Sequence, residues 1–237
     1  MADIKDVFQE DLIRGGENLA FDPEKKYAYV QHPTEGWRVY LRSCCFIHEK
    51  PNAKSVRHQA GDFLSNERNP HQKPTKSSGE CIDTSKFIVV KRTGDPSNTK
   101  AWEPPKGQME FKDMAKHTSM PIINLLKENV RREVAEESRI ETLFGLRHSG
   151  LVFQGREPNY PPNTFFQYHI FQALVSPTEW RRASQELDWY RAHPLAFARL
   201  RRDKREKDAI DWYSPSDHKL MGKWSPKIVA LYLNDNK

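Results

Sequence analysis

From Trp37 to His48 the chain runs through apolar, β-branched and aromatic side chains with few polar breaks, the pattern of a buried strand. Lys86 to Arg92 is a second apolar run, too short for a helix and closed by the turn signal Thr93-Gly94-Asp95-Pro96, so it also predicts a strand. Between them, Glu49 to Ser85 is rich in Pro, Asn, His, Lys and Ser and has no apolar period, which reads as a surface insertion. The period changes after Ser119 and Pro121, a hydroxyl and a proline suited to helix entry: Ile123, Leu126, Val130 and Val134 follow three and four apart and form one apolar stripe. Ser149 to Arg156 and Thr164 to Val175 predict two more strands. Ser176-Pro177 opens a helix to about His193, and Pro194 starts another that carries the basic run Arg199 to Lys207. Ala209 to Tyr213 is the last predicted strand, and Ser225-Pro226 caps a closing helix through Leu233. Strands, one long helix, more strands and then helices, without an internal repeat, predict a mixed sheet covered by helices.

Composition narrows the setting. Of 237 residues 30% are charged and 37% apolar, which leaves no uncharged apolar window long enough to cross a bilayer as a helix. The start of the chain carries Asp3, Asp6, Glu10 and Asp11 and no apolar segment, so no secretory leader is expected. Three cysteines, two of them adjacent, do not make a disulfide set, which favours a reducing, cytoplasmic compartment. The length suits a single domain, here 1–237, with an N-terminal extension to about residue 37 and the 49–85 insertion. Lys and Arg number 38 against 32 Asp and Glu, a net charge of +6 that leans toward polyanionic partners without choosing among them.

The long helix carries the chemistry. At roughly 100° per residue, Glu136 and Glu137 fall to either side of Glu133 within an arc of about 100°. Like charges so placed cost roughly 0.2–0.5 kcal/mol per pair on an open helix, and more where water is partly excluded. The arc borders the stripe of Leu126, Val130 and Val134, so a cation is expected beside the acids. A hard divalent ion, Mg²⁺ or Mn²⁺, suits oxygen ligands on a rigid helix edge, and the chemistry it favours is phosphoanhydride hydrolysis. The plainer alternative is a solvated helix face paired with Arg131 and Arg132.

The context of these acids resembles the Nudix hydrolase signature, G-x5-E-x7-R-E-U-x-E-E-x-G-U, where U is aliphatic. Gly107 takes the leading glycine, Asp113 the first acidic place, and Arg132, Glu133, Val134, Glu136, Glu137 and Ile140 the second half. Trp102-Glu103-Pro104-Pro105-Lys106-Gly107 looks like the lead-in common in this family, with two strands before it. There are two departures. Eighteen residues separate Asp113 from Arg132 where the signature has seven, an insertion at about 114–121, and Arg139 stands where the family has a glycine. The resemblance implies an α/β/α sandwich with a mixed β-sheet. It also implies metal coordination by Glu133, Glu136 and Glu137 with the Gly107 carbonyl, Arg132 orienting the glutamates, and Glu133 or Glu137 as general base. Members often recruit a later acid before a strand containing Trp; Glu206, Asp208 and Asp211 ahead of Trp212 are favoured here over Glu186 and Asp188 ahead of Trp189.

Lys106 and Arg92 are the expected contacts to substrate phosphates. A nucleoside diphosphate joined to a second group is the expected substrate class, with the 5′ cap of mRNA leading and free nucleotides, dinucleoside polyphosphates and inositol pyrophosphates as alternatives. A catalytically silent RNA- or nucleotide-binding module is the reading from another class. Cys44, Cys45, His48, His58, His71 and Cys81 raise the question of zinc, but no CxxC or HxxxH spacing supports it. Phe165, Phe166, Tyr168 and Phe171 read as core, with one alternate face able to stack a base.

Overall fold

The structure is a computed structural model, described here over residues 19–31, 36–51, 83–94, 100–114 and 120–235. Most of the N-terminal extension, nearly all of the 49–85 insertion, Ser119, and His58, His71 and Cys81 lie outside the described residues.

The strands are β1 (Leu19–Asp22), β2 (Tyr27–Gln31), β3 (Arg38–Glu49), β4 (Ile88–Arg92), β5 (Trp102–Glu103), β6 (Lys106–Gln108), β7 (Phe144–Gly155), β8 (Thr164–Val175) and β9 (Lys207–Trp212). The helices are α1 (Phe111–Met114), α2 (Ile122–Ser138), α3 (Pro177–Ala192), α4 (Pro194–Arg199) and α5 (Ser225–Asp235), with a 3-10 turn at Arg202–Arg205. A mixed sheet runs β1-β2-β3-β8-β7, and β6 adds to β3 beyond the end of β2. Its axis is the parallel pairing of β3 with β8, in register from Arg38↔Thr164 to Glu49↔Val175. A second, antiparallel sheet runs β5-β4-β9.

The continuous apolar run of β3 has a physical reason: both faces of the strand are covered. Successive side chains point to opposite faces, so Leu41, Cys45 and Ile47 join one core with Leu125, Leu126, Val130 and Val134 of α2, while Tyr40, Cys44 and Phe46 join another with Ile228, Val229 and Tyr232 of α5. The expected α/β/α sandwich with a mixed sheet is therefore present. The thiols of Cys44 and Cys45 are buried and free, and His48 is bound through its ring nitrogens to Tyr232 Oη at 2.6 Å and the Lys86 carbonyl at 2.9 Å. Among the described residues no helix is long and apolar enough to cross a membrane.

Several boundaries move. The stripe of α2 is led by buried Ile122 and Leu125, with Ile123 only partly buried, and the helix begins after Pro121 without a side-chain cap. The strand predicted from Ser149 starts at Phe144, because two register shifts against β8 let an irregular segment with Gly145 and Gly150 at positive φ continue the pairing. The basic run does not continue one helix. It is divided among the end of α4, the 3-10 turn and the first residue of β9, since Lys207 is drawn into strand pairing opposite Arg92.

Candidate active site

Four separate stretches of sequence meet at the inner edge of α2. The short strand β6 pairs with β3 at Ser43↔Gly107 and Cys44↔Lys106, which sets the Trp102–Gly107 segment against the helix. Gly107 has no side chain for a reason visible in space: a Cβ there would coincide with the Glu133 carboxylate, which lies directly on the glycine. Gly107→Ala is expected to displace that flexible carboxylate rather than disturb the backbone. Thermal stability should change by less than about 1 kcal/mol, while hydrolysis of a competent substrate falls on the order of a hundredfold; parallel melting curves and initial rates check it.

Arg132 organises the rest. Its Nε and Nη2 donate to the two oxygens of Asp113 at 2.9 and 3.0 Å, Nη2 also meets Glu133 at 2.7 Å, and Nη1 meets Glu136 at 2.7 Å. A planar guanidinium is suited to this fork-like grip, and a lysine would not reproduce it. Asp113 stays in its role despite the insertion because α1 holds it: its Oδ2 accepts from the Glu110 amide at 2.8 Å and from Asn129 Nδ2 at 3.2 Å. Asn129 is fully buried, donates also to the Gln108 carbonyl at 3.0 Å, and accepts from Ser43 Oγ, so it ties α2 to β3, β6 and α1 together.

Glu137 faces deeper. Its oxygens take the Lys106 amide at 2.9 Å and the Lys207 ammonium at 3.0 Å. Lys207 also pairs with Glu103, whose other oxygen holds Lys106 Nζ at 2.7 Å and accepts from Ser225 Oγ at 3.1 Å. Two carboxylates and two ammonium groups thus close a buried cluster. Burial works against ionisation of Glu103, but Lys106 and Lys207 outweigh it and hold the carboxyl at about 2. For Glu137 burial dominates and raises the carboxyl, aided by the Glu103 charge and opposed by Lys207. The two directions differ because Glu103 also holds Lys106 Nζ and so takes the larger share of the positive charge. Burial likewise lifts Glu133, to about 8, against the pull of Arg132 and with Glu137, Glu136 and Asp113 adding to the rise.

The sequence-derived residues are distributed as follows. Gly107, Arg132, Glu133, Glu136 and Glu137 are together at the site. Lys106 is there too, with its ammonium committed to Glu103. Arg92, at the exposed end of β4, has its guanidinium 4.0 Å from Met221 Sδ. Glu206 is exposed, and Asp208 sits half-buried on β9 with Lys91 and Arg191 as its charged neighbours. It is Lys207, between these two acids, that reaches Glu137. Glu103, Lys207 and Ser225 carry no site role in the sequence reading, where they stand in the lead-in, the basic run and a helix cap. Asn129 and Ser43 left a readable signal, because each interrupts an otherwise apolar buried run. Lys207 left none, since Glu103, 104 residues away, is brought to it through strand pairing and Glu137 through the packing of α2.

No family model matches the chain, and no curated protein does. The chain is similar to a mutT/nudix family protein from Listeria innocua. That crystal structure is 15% identical, the match covers 83% of this chain and 92% of the other, and the TM-score is 0.36, an overlap too loose to bear on the site.

The acids of the site differ in how far their charge is compensated. Among the described residues no three His, Cys, Asp or Glu side chains close around a point. Glu133 is the acid with the least compensation: it shares Arg132 with two other carboxylates and is held largely protonated by burial. Glu136 also faces Arg201 at 3.9 Å.

Arg139 closes α2. It does adopt the left-handed backbone that a glycine would favour, with φ 64°. Its guanidinium compensates by donating to the Glu136 and Lys204 carbonyls, which ties the end of α2 to the 3-10 turn. Glycine would relieve strain of about 1 kcal/mol, whereas each hydrogen bond from a charged group contributes roughly 1.5–3 kcal/mol. Arg139→Gly is therefore expected to lower stability by about 1 kcal/mol or more; a raised denaturation midpoint would show that the backbone strain dominates.

Proposed function

We propose that the chain is a Nudix-type hydrolase that cleaves the diphosphate linkage of a nucleoside-diphosphate-linked substrate with Mg²⁺ or Mn²⁺. The supporting observation is the convergence of Gly107, Asp113, Arg132 and Glu133: the carboxylate seated on the glycine, and one guanidinium holding both Asp113 oxygens and two glutamates. Residues matched to a motif across an eleven-residue insertion are thus brought side by side, which supports this reading. In this reading Glu133, Glu136 and Glu137, with the Gly107 carbonyl, hold the metal.

When bound, a divalent ion neutralises phosphate oxygens and makes a water molecule more acidic. The protein's own residues do the rest. Arg132 fixes the carboxylates of Glu133 and Glu136 in orientation. Glu133 is the better general base of the two candidates, because Glu137 has both oxygens engaged by Lys207 and the Lys106 amide, whereas Glu133 lies at the edge of the cluster with an affinity for protons suited to neutral pH. The mRNA 5′ cap is the leading substrate, on the ground that the exposed Arg199–Arg205 run lies beside Glu136 through Arg201. The buried thiols of Cys44 and Cys45 agree with a reducing, cytoplasmic setting.

The engagement of Glu137 by Lys207 favours a second reading, a silent nucleotide-binding module in which lysine stands in for the metal. The deciding measurement is Mg²⁺-dependent product release from capped RNA, a dinucleoside polyphosphate, a nucleotide sugar and an inositol pyrophosphate, comparing wild type with Glu133→Gln. Equal inertness on all four removes the enzyme reading. Cleavage confined to compounds other than capped RNA removes the cap.

A pH dependence follows for the metal-free protein. The Glu133 carboxyl keeps its proton in the fold up to about 8 but loses it near 4.5 when unfolded, so the folded state binds more protons in that interval. Its contribution to stability is present below 4.5 and is lost as pH rises toward 8. In chelator, the melting temperature should fall across this window. Added Mg²⁺, which replaces the proton, should stabilise more at pH 8 than at pH 6; a metal-induced shift independent of pH would contradict the assignment.

A further inference from the structure

On the opposite face of β3 from α2 lies a cation with too few partners. Arg42 is 6% exposed, yet among the described residues its guanidinium donates a hydrogen bond only to Tyr160 Oη at 3.0 Å, and its Nε has no acceptor there. Its nearest carboxylate, Glu157, stands 3.7 Å away and accepts from Trp224 Nε1 at 2.9 Å. Burying a guanidinium is costly unless its donors are met, and here Nε is left without an acceptor while Nη1 faces only a distant, shared carboxylate. The charge around it adds to the imbalance: Lys25 Nζ lies 4.2 Å from the Tyr160 ring centre. Rings complete the surroundings, with Arg42 Cζ 4.1 Å from the centre of Phe166 and 5.4 Å from that of Tyr168.

This place adjoins the candidate active site. Lys106 Nζ is 5.8 Å from the same Tyr168 ring, and Arg42 is two residues, about 7 Å along the strand, from Cys44, the partner of Lys106 in the β3–β6 pairing. Tyr160 is carried by the segment between β7 and β8, most of which is exposed, while its own ring is buried against Tyr40.

We propose that Arg42 is an anion site that takes a phosphate group of a nucleotide, with the Tyr160 hydroxyl holding its place in the absence of ligand. Bidentate pairing with phosphate supplies the acceptors that Tyr160 and Glu157 do not, while Phe166 and Tyr168, buried themselves, wall the place on its core side. The anion site rests on Arg42 and its surroundings; the choice of a nucleotide rests on the hydrolase reading above.

The test is calorimetric titration in chelator with inorganic phosphate, a nucleoside 5′-monophosphate and the parent nucleoside. None of these has a diphosphate linkage, so the outcome does not depend on catalysis. The monophosphate should bind more tightly than phosphate or nucleoside alone. Arg42→Gln should weaken it about tenfold or more, and Glu157→Gln, which removes the competing charge while keeping an acceptor for Trp224, should tighten it several-fold. A purely structural Arg42 predicts no gain from Glu157→Gln. If Arg42→Gln does not fold, the sign of the Glu157→Gln effect decides. Failure of wild type to bind monophosphate, unchanged affinity in folded Arg42→Gln, or weakened affinity in Glu157→Gln overturns the site. Monophosphate binding of the expected pattern without cleavage of any diphosphate-linked compound keeps the anion site and removes the hydrolase reading; cleavage without monophosphate binding does the reverse.

Discussion

Lys207→Met is expected to destabilise the protein by about 3–5 kcal/mol, the cost typical of removing one partner from a buried ion pair. Methionine matches lysine in length and fits an apolar interior, so packing is nearly kept and the loss isolates the charge. Lys207 is 4% exposed and its ammonium stands between Glu103 and Glu137, which are 2% and 4% exposed. Without it, two buried carboxylates share Lys106 alone. The sign of the pH dependence identifies the cause. In the wild type the Glu103 carboxyl is held at about 2, below its usual 4.5, so its favourable contribution is present above 4.5 and is lost as pH falls through 2. The penalty of Lys207→Met should therefore be largest at neutral pH and shrink on acidification. Denaturant unfolding at pH 7 and at about pH 3, inside the 4.5-to-2 window, measures both quantities, and a loss under 1 kcal/mol at pH 7 would falsify the buried-cluster account. Adding Glu103→Gln should recover part of the loss, because the second substitution removes the charge left without a partner.

Glu133→Gln is expected to separate function from stability in the other direction. Activity should drop by about 10²–10⁴-fold, the range for loss of a positioned general base, while stability at neutral pH in chelator changes by less than about 1 kcal/mol or rises. The reason is that burial already keeps this carboxyl largely protonated without metal, and glutamine mimics the protonated form while still accepting from Arg132. A residue selected for packing would not behave so. Glu136→Gln should cost less activity, since Glu136 pairs with Arg132 and Arg201 and lies farther from Gly107 than Glu133, which touches it. A Glu133→Gln protein with undiminished turnover sends the base assignment back to Glu137; one that is unfolded assigns Glu133 to structure.

Much of the fold and of the site's inventory is legible in the sequence because it depends on local period and on residue chemistry. The double-sided apolar run of β3, the stripe of α2, and Ser176 and Pro177 at the entry of α3 are such features, and in each the structure differs from the sequence reading mainly in where an element begins or ends. The carboxylates of α2 border its packed face because 3.6 residues per turn puts them there. Asp113 was matched in spite of the insertion, since a motif preserves residue types while chain length between them is free to vary.

What only the tertiary structure decided is which charges meet. Lys207 belongs in sequence to a basic run that suggests a solvated or RNA-facing surface, yet antiparallel pairing of β9 with β4 carries it inward to Glu103 and Glu137. Arg42 reads as a polar residue in a strand, but the β7–β8 segment covers it and leaves its guanidinium short of acceptors. The residues that can do the chemistry are set by the local pattern; the partner each of them has is set by non-local strand pairing, whose registers no short window of sequence contains.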